Sequence, residues 1–214
     1  MSDYSEEEQI ARIKEWWQRN GKPLLAGGAL ALVLVFGWQA WQKHQANQSA
    51  TVSMLYQQLL EVALLPRDQV DSQRVAQLLT ELKKIQANSA YTQYARLLAA
   101  KVAVDSNQLD DAVLELQGIL DKPADETLEE LARQRLARVF LAQKKAEKAL
   151  KLLDTQVLPA YAATREELRG DALVALQRPA DARAAYEKAQ KSLASDAATG
   201  ALLMKLDNLS EKDA

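Results

Sequence analysis

The chain has 214 residues, with 27 Lys plus Arg against 29 Asp plus Glu, a formal net charge of −2, one histidine and no cysteine. A zinc or facial-triad centre needs several imidazole or thiolate ligands and a disulfide framework needs thiols, so this composition argues against both. The near-neutral balance carries neither a basic stripe nor a long single-sign block, which argues against a nucleic-acid-binding surface.

Residues 1–22 read as a short amphipathic helix. Ser5 with Glu8 has the S-x-x-E spacing of a capping box, and Ile10, Ile13 and Trp17 fall on one face. Lying on a membrane leaflet is the simplest role for such a face. From Pro23 to Gln42 follow 20 uncharged residues between Lys22 and Lys43. As a helix they span about 30 Å, the thickness of a bilayer's hydrocarbon core, so residues 23–42 are predicted to cross a membrane once. The run is longer than the apolar region of a signal peptide, and the candidate cleavage sites Ala46 and Ala50 follow His44 and Gln48 rather than small residues. Arg12, Lys14, Arg19 and Lys22 precede the span, whereas after Lys43 no basic residue occurs until Arg67. That bias predicts a cytoplasmic N-terminus and places residues 43–214 on the far side. Trp16 and Trp17 before the span, and Trp38 and Trp41 at its end, suit the two membrane interfaces. Within the span, Gly27, Gly28 and Ala31 form a small-residue patch, with small-x-x-x-small spacing from Gly27 to Ala31, where another helix could pack closely.

Beyond the span, helical periodicity is broken only at Pro66–Asp68, Asn88, Asp105–Asn107, Asp121–Pro123, Gln143–Lys145, Pro159, Arg178–Pro179 and Ser195. No run alternates apolar and polar residues as a strand would. Ala112, Ala149 and Ala182 each open a second helix after a short turn, at spacings of 37 and 33 residues. Twelve residues before them stand Ala100, Ala137 and Gly170, and four after them Leu116, Leu153 and Tyr186. Small residues at two fixed positions and a large one at a third are the logic of a tetratricopeptide repeat. The predicted fold is therefore all-α: one N-terminal transmembrane helix followed, over residues 43–214, by a tetratricopeptide-repeat-like solenoid of helical hairpins. A degenerate hairpin is expected over residues 49–86 around Ala76, and a lone covering helix over residues 197–209, with a frayed end after it.

Catalytic chemistry finds little support. His44 lies beside Lys43 at the outer interface, and the chain lacks G-x-S-x-G, G-x-G-x-x-G and G-x-x-x-x-G-K-[ST]. The carboxylate pairs Asp110/Asp111, Glu129/Glu130 and Glu166/Glu167 read as solvated helix starts, and Tyr91, Tyr94, Tyr161 and Tyr186 mostly as packing residues. No catalytic, cofactor-binding or metal-binding residue is expected. In a tetratricopeptide solenoid the first helix of each hairpin lines the concave side. Counting from the small first-helix residues gives Tyr94, Leu97, Lys101 and Val104; Leu131, Gln134, Arg138 and Leu141; and Thr164, Glu167, Asp171 and Val174 as the partner-facing surface. Leu97 and Leu141 are apolar enough to be packing residues instead. The mixture lacks clustered Lys and Arg, and suits weak contact with many chains.

The order of parts resembles one family. W-W-x-x-N-G-K at Trp16–Lys22, G-W-x-x-W at Gly37–Trp41, L-A-R at Leu136–Arg138 and L-R-G-D-A-L at Leu168–Leu173 look like the YfgM family of bacterial inner-membrane proteins. That resemblance implies a non-enzymatic ancillary component of the Sec translocon, with its repeat domain in the periplasm. It further implies partnership with a membrane-anchored prolyl-isomerase-like chaperone and contact with newly exported nascent chains. A reading independent of the resemblance is an anchored scaffold bridging another cell-envelope assembly.

Overall fold

The computed structural model describes residues 3–193 and 200–210, and among these every regular element is helical. Helix α1 runs over Asp3–Ala63. It is followed by α2 (Ser72–Gln86), α3 (Ala90–Asp105), α4 (Leu109–Leu120), α5 (Glu126–Ala142), α6 (Ala146–Leu153), a 3-10 turn at Pro159–Tyr161, α7 (Ala162–Ala175), α8 (Pro179–Lys191) and α9 (Gly200–Ser210). The chain divides into two compact units, Met1–Thr51 and Val52–Ala214.

In the first unit α1 differs from the expectation of two helices. It is already helical at Asp3, so Ser5 lies inside rather than at the cap, and it continues through Pro23 without ending there. Proline removes the N–H that would reach the carbonyl of Arg19, yet membrane-type helices tolerate that loss. One turn earlier Asn20 Nδ2 donates to the Trp16 carbonyl at 3.1 Å. Trp17 lies across Gly21, where an added Cβ would sit 3.2 Å from the indole. The W-W-x-x-N-G-K motif thus has a local physical content: a glycine that lets the ring four residues earlier lie on the helix backbone. The most apolar window of α1 is long enough to cross a membrane and none of it is buried in the protein.

The second unit is built from hairpins. Val52, Leu55, Leu59 and Ala63 of α1 share a core with Val75, Leu78, Leu79 and Leu82 of α2 and with Ala95 and Val102 of α3. Ala76, the expected centre of this first hairpin, is exposed, and its neighbour Val75 takes the buried place. The next three hairpins, α3–α4, α5–α6 and α7–α8, repeat one design. Ala100, Ala112 and Leu116, then Ala137, Ala149 and Leu153, then Ala182 and Tyr186 with Gly170, are all buried. Each turn is closed in the same way. The residues Asn107, Lys144 and Gln177 adopt φ of 60°, 58° and 58°. The following N–H groups of Gln108, Lys145 and Arg178 donate back to the carbonyls of Ala103, Phe140 and Leu173 at 2.7, 2.8 and 2.9 Å. That is the Schellman closure of a helix, and it recurs at the spacings of 37 and 33 residues that separate the small residues. The second helices begin directly from this turn and have no side-chain N-cap, whereas α2, α3 and α5 are capped by Asp71, Ser89 and Asp125.

Adjacent first helices also pack on one another, α3 on α5 and α5 on α7, and no comparable packing joins α4 to α6 or α6 to α8 among the described residues. Splayed second helices over packed first helices put the first helices on the inside of the curve. Helix α9 closes the array, with Leu202 and Leu209 buried against Leu173, Ala182, Ala185 and Tyr186. The expected break at Ser195, the first residues of the expected covering helix and the tail after Ser210 lie outside the described residues.

Gly170 tests this packing. A Cβ there would lie 2.2 Å from the Tyr186 ring, which is 2% exposed and held through its hydroxyl by Asp171 at 2.8 Å. Replacing glycine by alanine inside a helix is worth up to about 1 kcal/mol in propensity, while overpacking a core costs about 1–3 kcal/mol. A pinned ring cannot retreat, so overpacking wins. Gly170→Ala should lower the thermal unfolding midpoint by several degrees, and an unchanged or raised midpoint would contradict the packing described.

Candidate functional site

Two surfaces carry the residues singled out by sequence. In the first unit, Gly27 and Gly28 have no atom within 4 Å of where a Cβ would stand, and Ala31 is exposed beside them. Trp16, Trp17, Trp38 and Trp41 are all more than half exposed, and the Trp38 and Trp41 rings sit 5.1 Å apart. This unit therefore presents an open small-residue patch flanked along the helix by indoles.

In the second unit the first-helix face departs from the sequence count in an informative way. Tyr94, Lys101, Val104, Arg138 and Val174 are exposed, and Leu131, Leu141, Thr164, Glu167 and Asp171 are partly exposed. Leu97 is buried. Gln134 is buried as well, because α5 is covered by helices on both sides, and its amide donates to Glu130 at 2.9 Å. Glu130 in turn forms a buried ion pair with Arg165 of α7, whose guanidinium also donates to the carbonyl of Leu153 at 2.9 Å and to the Thr155 hydroxyl at 2.8 Å. The Glu129/Glu130 pair is thus no solvated helix start: Glu129 binds Arg133, and Glu130 ties α5 to α7.

Glu167 and Asp171 face α9. Lys205 Nζ donates to Glu167 at 2.7 Å and to Asp171 at 2.7 and 2.9 Å, and lies 5.7 Å from the centre of the Tyr186 ring. Burial and the hydrogen bond to Asp171 raise the Tyr186 phenol far above its usual value, so it stays a donor. The last hairpin's inner face is accordingly occupied by the protein's own terminal helix.

The inner face lies open between α3 and α5. A cavity of about 300 Å³ is lined there by Lys101, Val104, Leu109, Arg135, Arg138 and Val139, among others. It brings together three of the sequence candidates, Lys101, Val104 and Arg138, and adds Arg135, which the repeat count passed over, so that cations do cluster on this face, contrary to the expectation from the counted positions. Arg135 and Arg138 are spaced i, i+3 in R-Q-R-L-A-R, which places them on one helix face. Lys101 binds Asp105 at 2.8 Å, and Arg67 reaches the same carboxylate at 3.3 Å. The Lys101 hydrogen bond is the main cause that lowers the Asp105 pKa. Burial first, and then the charge of Arg138, lower that of Arg135. On the same face of α3, Tyr94 and Tyr91 lie 6.4 and 5.4 Å from the Tyr56 ring, all three belonging to one aromatic cluster, and Tyr91 and Tyr94 remain 44% and 43% exposed. Among the described residues no three His, Asp or Glu side chains converge as a metal site.

Residues 14–211 match the family profile described as "Tetratricopeptide repeat-like domain". The chain is 34% identical over 206 residues to the Escherichia coli K12 protein named "Ancillary SecYEG translocon subunit", covering 96% of this chain and 97% of that one. The chain belongs to this family. Proteins of the same name from Haemophilus influenzae and Neisseria gonorrhoeae are each 30% identical to it, over 95% of this chain and 97% of theirs. No solved structure matches. The similarity embraces the candidate membrane span and the repeats together, as the resemblance to the YfgM family in the motifs implied.

The α9 contact generates a test. Burial alone would lower the Lys205 pKa, but the acceptors Asp171 and Glu167 outweigh it and the net shift is upward from 10.5. A raised pKa in the folded state means that the pairing stabilises fully below the unfolded value near 10.5, and that this is lost as pH rises through the higher folded value. The midpoint difference between wild type and Lys205→Met should therefore stay constant from neutral pH to about pH 10 and close above it. A difference that closes between pH 6 and 9 would contradict the geometry.

Proposed function

We propose that this chain is a non-enzymatic ancillary subunit of the Sec translocon, anchored by α1 in the bacterial inner membrane. The observation that carries the reading is similarity along nearly the whole chain, anchor included, to proteins named for that role. The charge bias, with Arg12, Lys14, Arg19 and Lys22 before the span and Lys43 alone just after it, supports a cytoplasmic N-terminus and a periplasmic repeat domain. A tetratricopeptide-like array with an open inner face between α3 and α5 suits contact with exported chains and with a membrane-anchored, prolyl-isomerase-like chaperone. The anchor supplies proximity: a domain tethered beside the channel meets emerging segments at high effective concentration, so weak contacts suffice.

The span also offers the surface for docking. A Cβ at position 27 or 28 has no packed neighbour within 4 Å, so leucines there would chiefly obstruct an incoming helix. Purified in mild detergent, the wild-type chain should bring channel subunits with it. Gly27→Leu with Gly28→Leu should lose them while remaining inserted in the membrane. A wild-type chain that brings none would overturn the reading, and undiminished copurification in the variant would restrict the span to anchoring.

A further inference from the structure

Several partly or fully buried cations of the repeat unit are tied to acids. Lys83 and Arg96 share Glu115, Arg133 binds Glu129, Arg165 binds Glu130, Arg169 binds Asp154, and Lys205 binds Glu167 and Asp171. Arg135 differs from them: it is half-buried, and its guanidinium has a single long contact of 3.4 Å to the Leu97 carbonyl and no carboxylate among the described residues. Its neighbour on the same face, Arg138, is exposed and has no partner among them at all. Two like charges side by side without a matching carboxylate repel each other, and a ligand that brings the missing negative charge relieves that repulsion.

The surroundings define that ligand further. The cavity is lined by Lys101, Arg135 and Arg138 against the single carboxylate Asp105, an excess of two positive charges, and Asp105 is further engaged by Arg67 from outside the cavity. Residues 42–214 as a whole carry 23 Lys plus Arg against 24 Asp plus Glu, so the excess is local. The wall between these charges is apolar, built from Val104, Leu109, Leu116 and Val139. An enclosed cavity of about 150 Å³ already accepts benzene. The groove, at about 300 Å³, therefore has room for one large apolar side chain together with the backbone that carries it. Seven residues earlier on α3, about 10 Å away, Tyr94 opens the exposed tyrosine cluster. The sticky surface thus runs on past the cavity.

We infer that the groove between α3 and α5 binds a passing, extended polypeptide segment in which a large apolar residue is flanked by Asp or Glu. The apolar residue enters against Val104 and Val139, and the adjacent carboxylate lies across Arg135 and Arg138, which can grip it through planar guanidinium forks. A continuous surface toward Tyr94 favours an internal segment over a chain terminus. The inference deepens the proposed function, and rests on it for the source of the segment.

The test uses the full-length chain in nanodiscs and three short fluorescein-labelled peptides. One alternates Leu with Glu and is amidated at its C-terminus, the second replaces Glu by Gln, and the third is the Gln peptide with a free C-terminal carboxylate. The amidated Glu peptide should bind about tenfold or more tighter than the amidated Gln peptide, and more weakly as salt rises. Arg135→Ala with Arg138→Ala should bring it down to the Gln level, and Arg138→Ala alone, at an exposed site with no bonded partner among the described residues, should give part of that fall with an unchanged thermal midpoint. Arg178→Ala, outside the groove, should change nothing. Equal binding of the amidated Glu and Gln peptides, or Glu-dependent binding that survives the double substitution, overturns the inference. So does a free-carboxylate Gln peptide that binds as tightly as the Glu peptide. Channel copurification from the same preparations separates the two levels: copurification without Glu preference defeats only this inference, and Glu preference without copurification defeats only the functional reading.

Discussion

The structure depends on how closely the two helices of a hairpin can approach. At the crossing points stand Ala100 with Ala112, Ala137 with Ala149, and Gly170 with Ala182, every one of them buried. Small residues there let the backbones come together, which leaves room for Leu116, Leu153 and Tyr186 to fill the space beside them. The turn is bound by the same constraint. A tight antiparallel return demands one residue in the left-handed region, and Asn107, Lys144 and Gln177 adopt it although none is glycine. Asparagine tolerates that conformation, while lysine and glutamine do so at a cost of about 1–2 kcal/mol. Three repetitions of the same strained turn indicate that the packing it permits outweighs its cost.

Electrostatics then divide the domain into closed and open regions. Between α5 and α7 the ion pair of Glu130 and Arg165 is almost wholly buried and its remaining donors are satisfied by the carbonyl of Leu153 and by Thr155. Such a pair contributes little net stability, but stranding one partner costs about 3–5 kcal/mol, so it fixes which turn of α7 faces α5. At the end of the array Lys205 closes the acidic face of α7 with the terminal helix. Between α3 and α5 Lys101 is paired with Asp105, but Arg135 and Arg138 have no carboxylate among the described residues and the walls are apolar. Charges matched within the protein offer less to a partner, and the groove, whose two arginines have no carboxylate among the described residues, is where partner binding fits.

Local regularities were legible in the sequence and long-range pairings were not. The apolar span, the helix breaks from Pro66 to Pro179 and the three triads of small, small and large residues follow from rules that act within about a dozen residues. Each then reappears as a structural feature of the second unit or as the exposed window of α1. The division after Lys22 followed charge, which marks where a membrane span begins but not where a helix does, and the helix runs on through Pro23. Glu130 and Glu167 read as solvated helix starts, and Asp171 as partner-facing, because their partners Arg165 and Lys205 lie 34–38 residues away in sequence. Gln134 occupies a concave-type repeat position yet is buried, since the middle helix of the inner layer is covered on both sides. Arg135 was visible as the i, i+3 partner of Arg138, but counting fixed repeat positions passed over it.

The central claim is that a membrane-anchored repeat domain meets its partners on the inner, first-helix face. Site-specific photocrosslinking in intact cells during protein export tests it most directly. A photoreactive residue in place of Val104, which is 39% exposed within the groove, should give adducts with exported chains or channel-associated partners. The same residue in place of Leu114, 61% exposed on the second helix α4, should give few or none. Adducts from Leu114 and none from Val104 would contradict the account and move the binding surface to the outer helices.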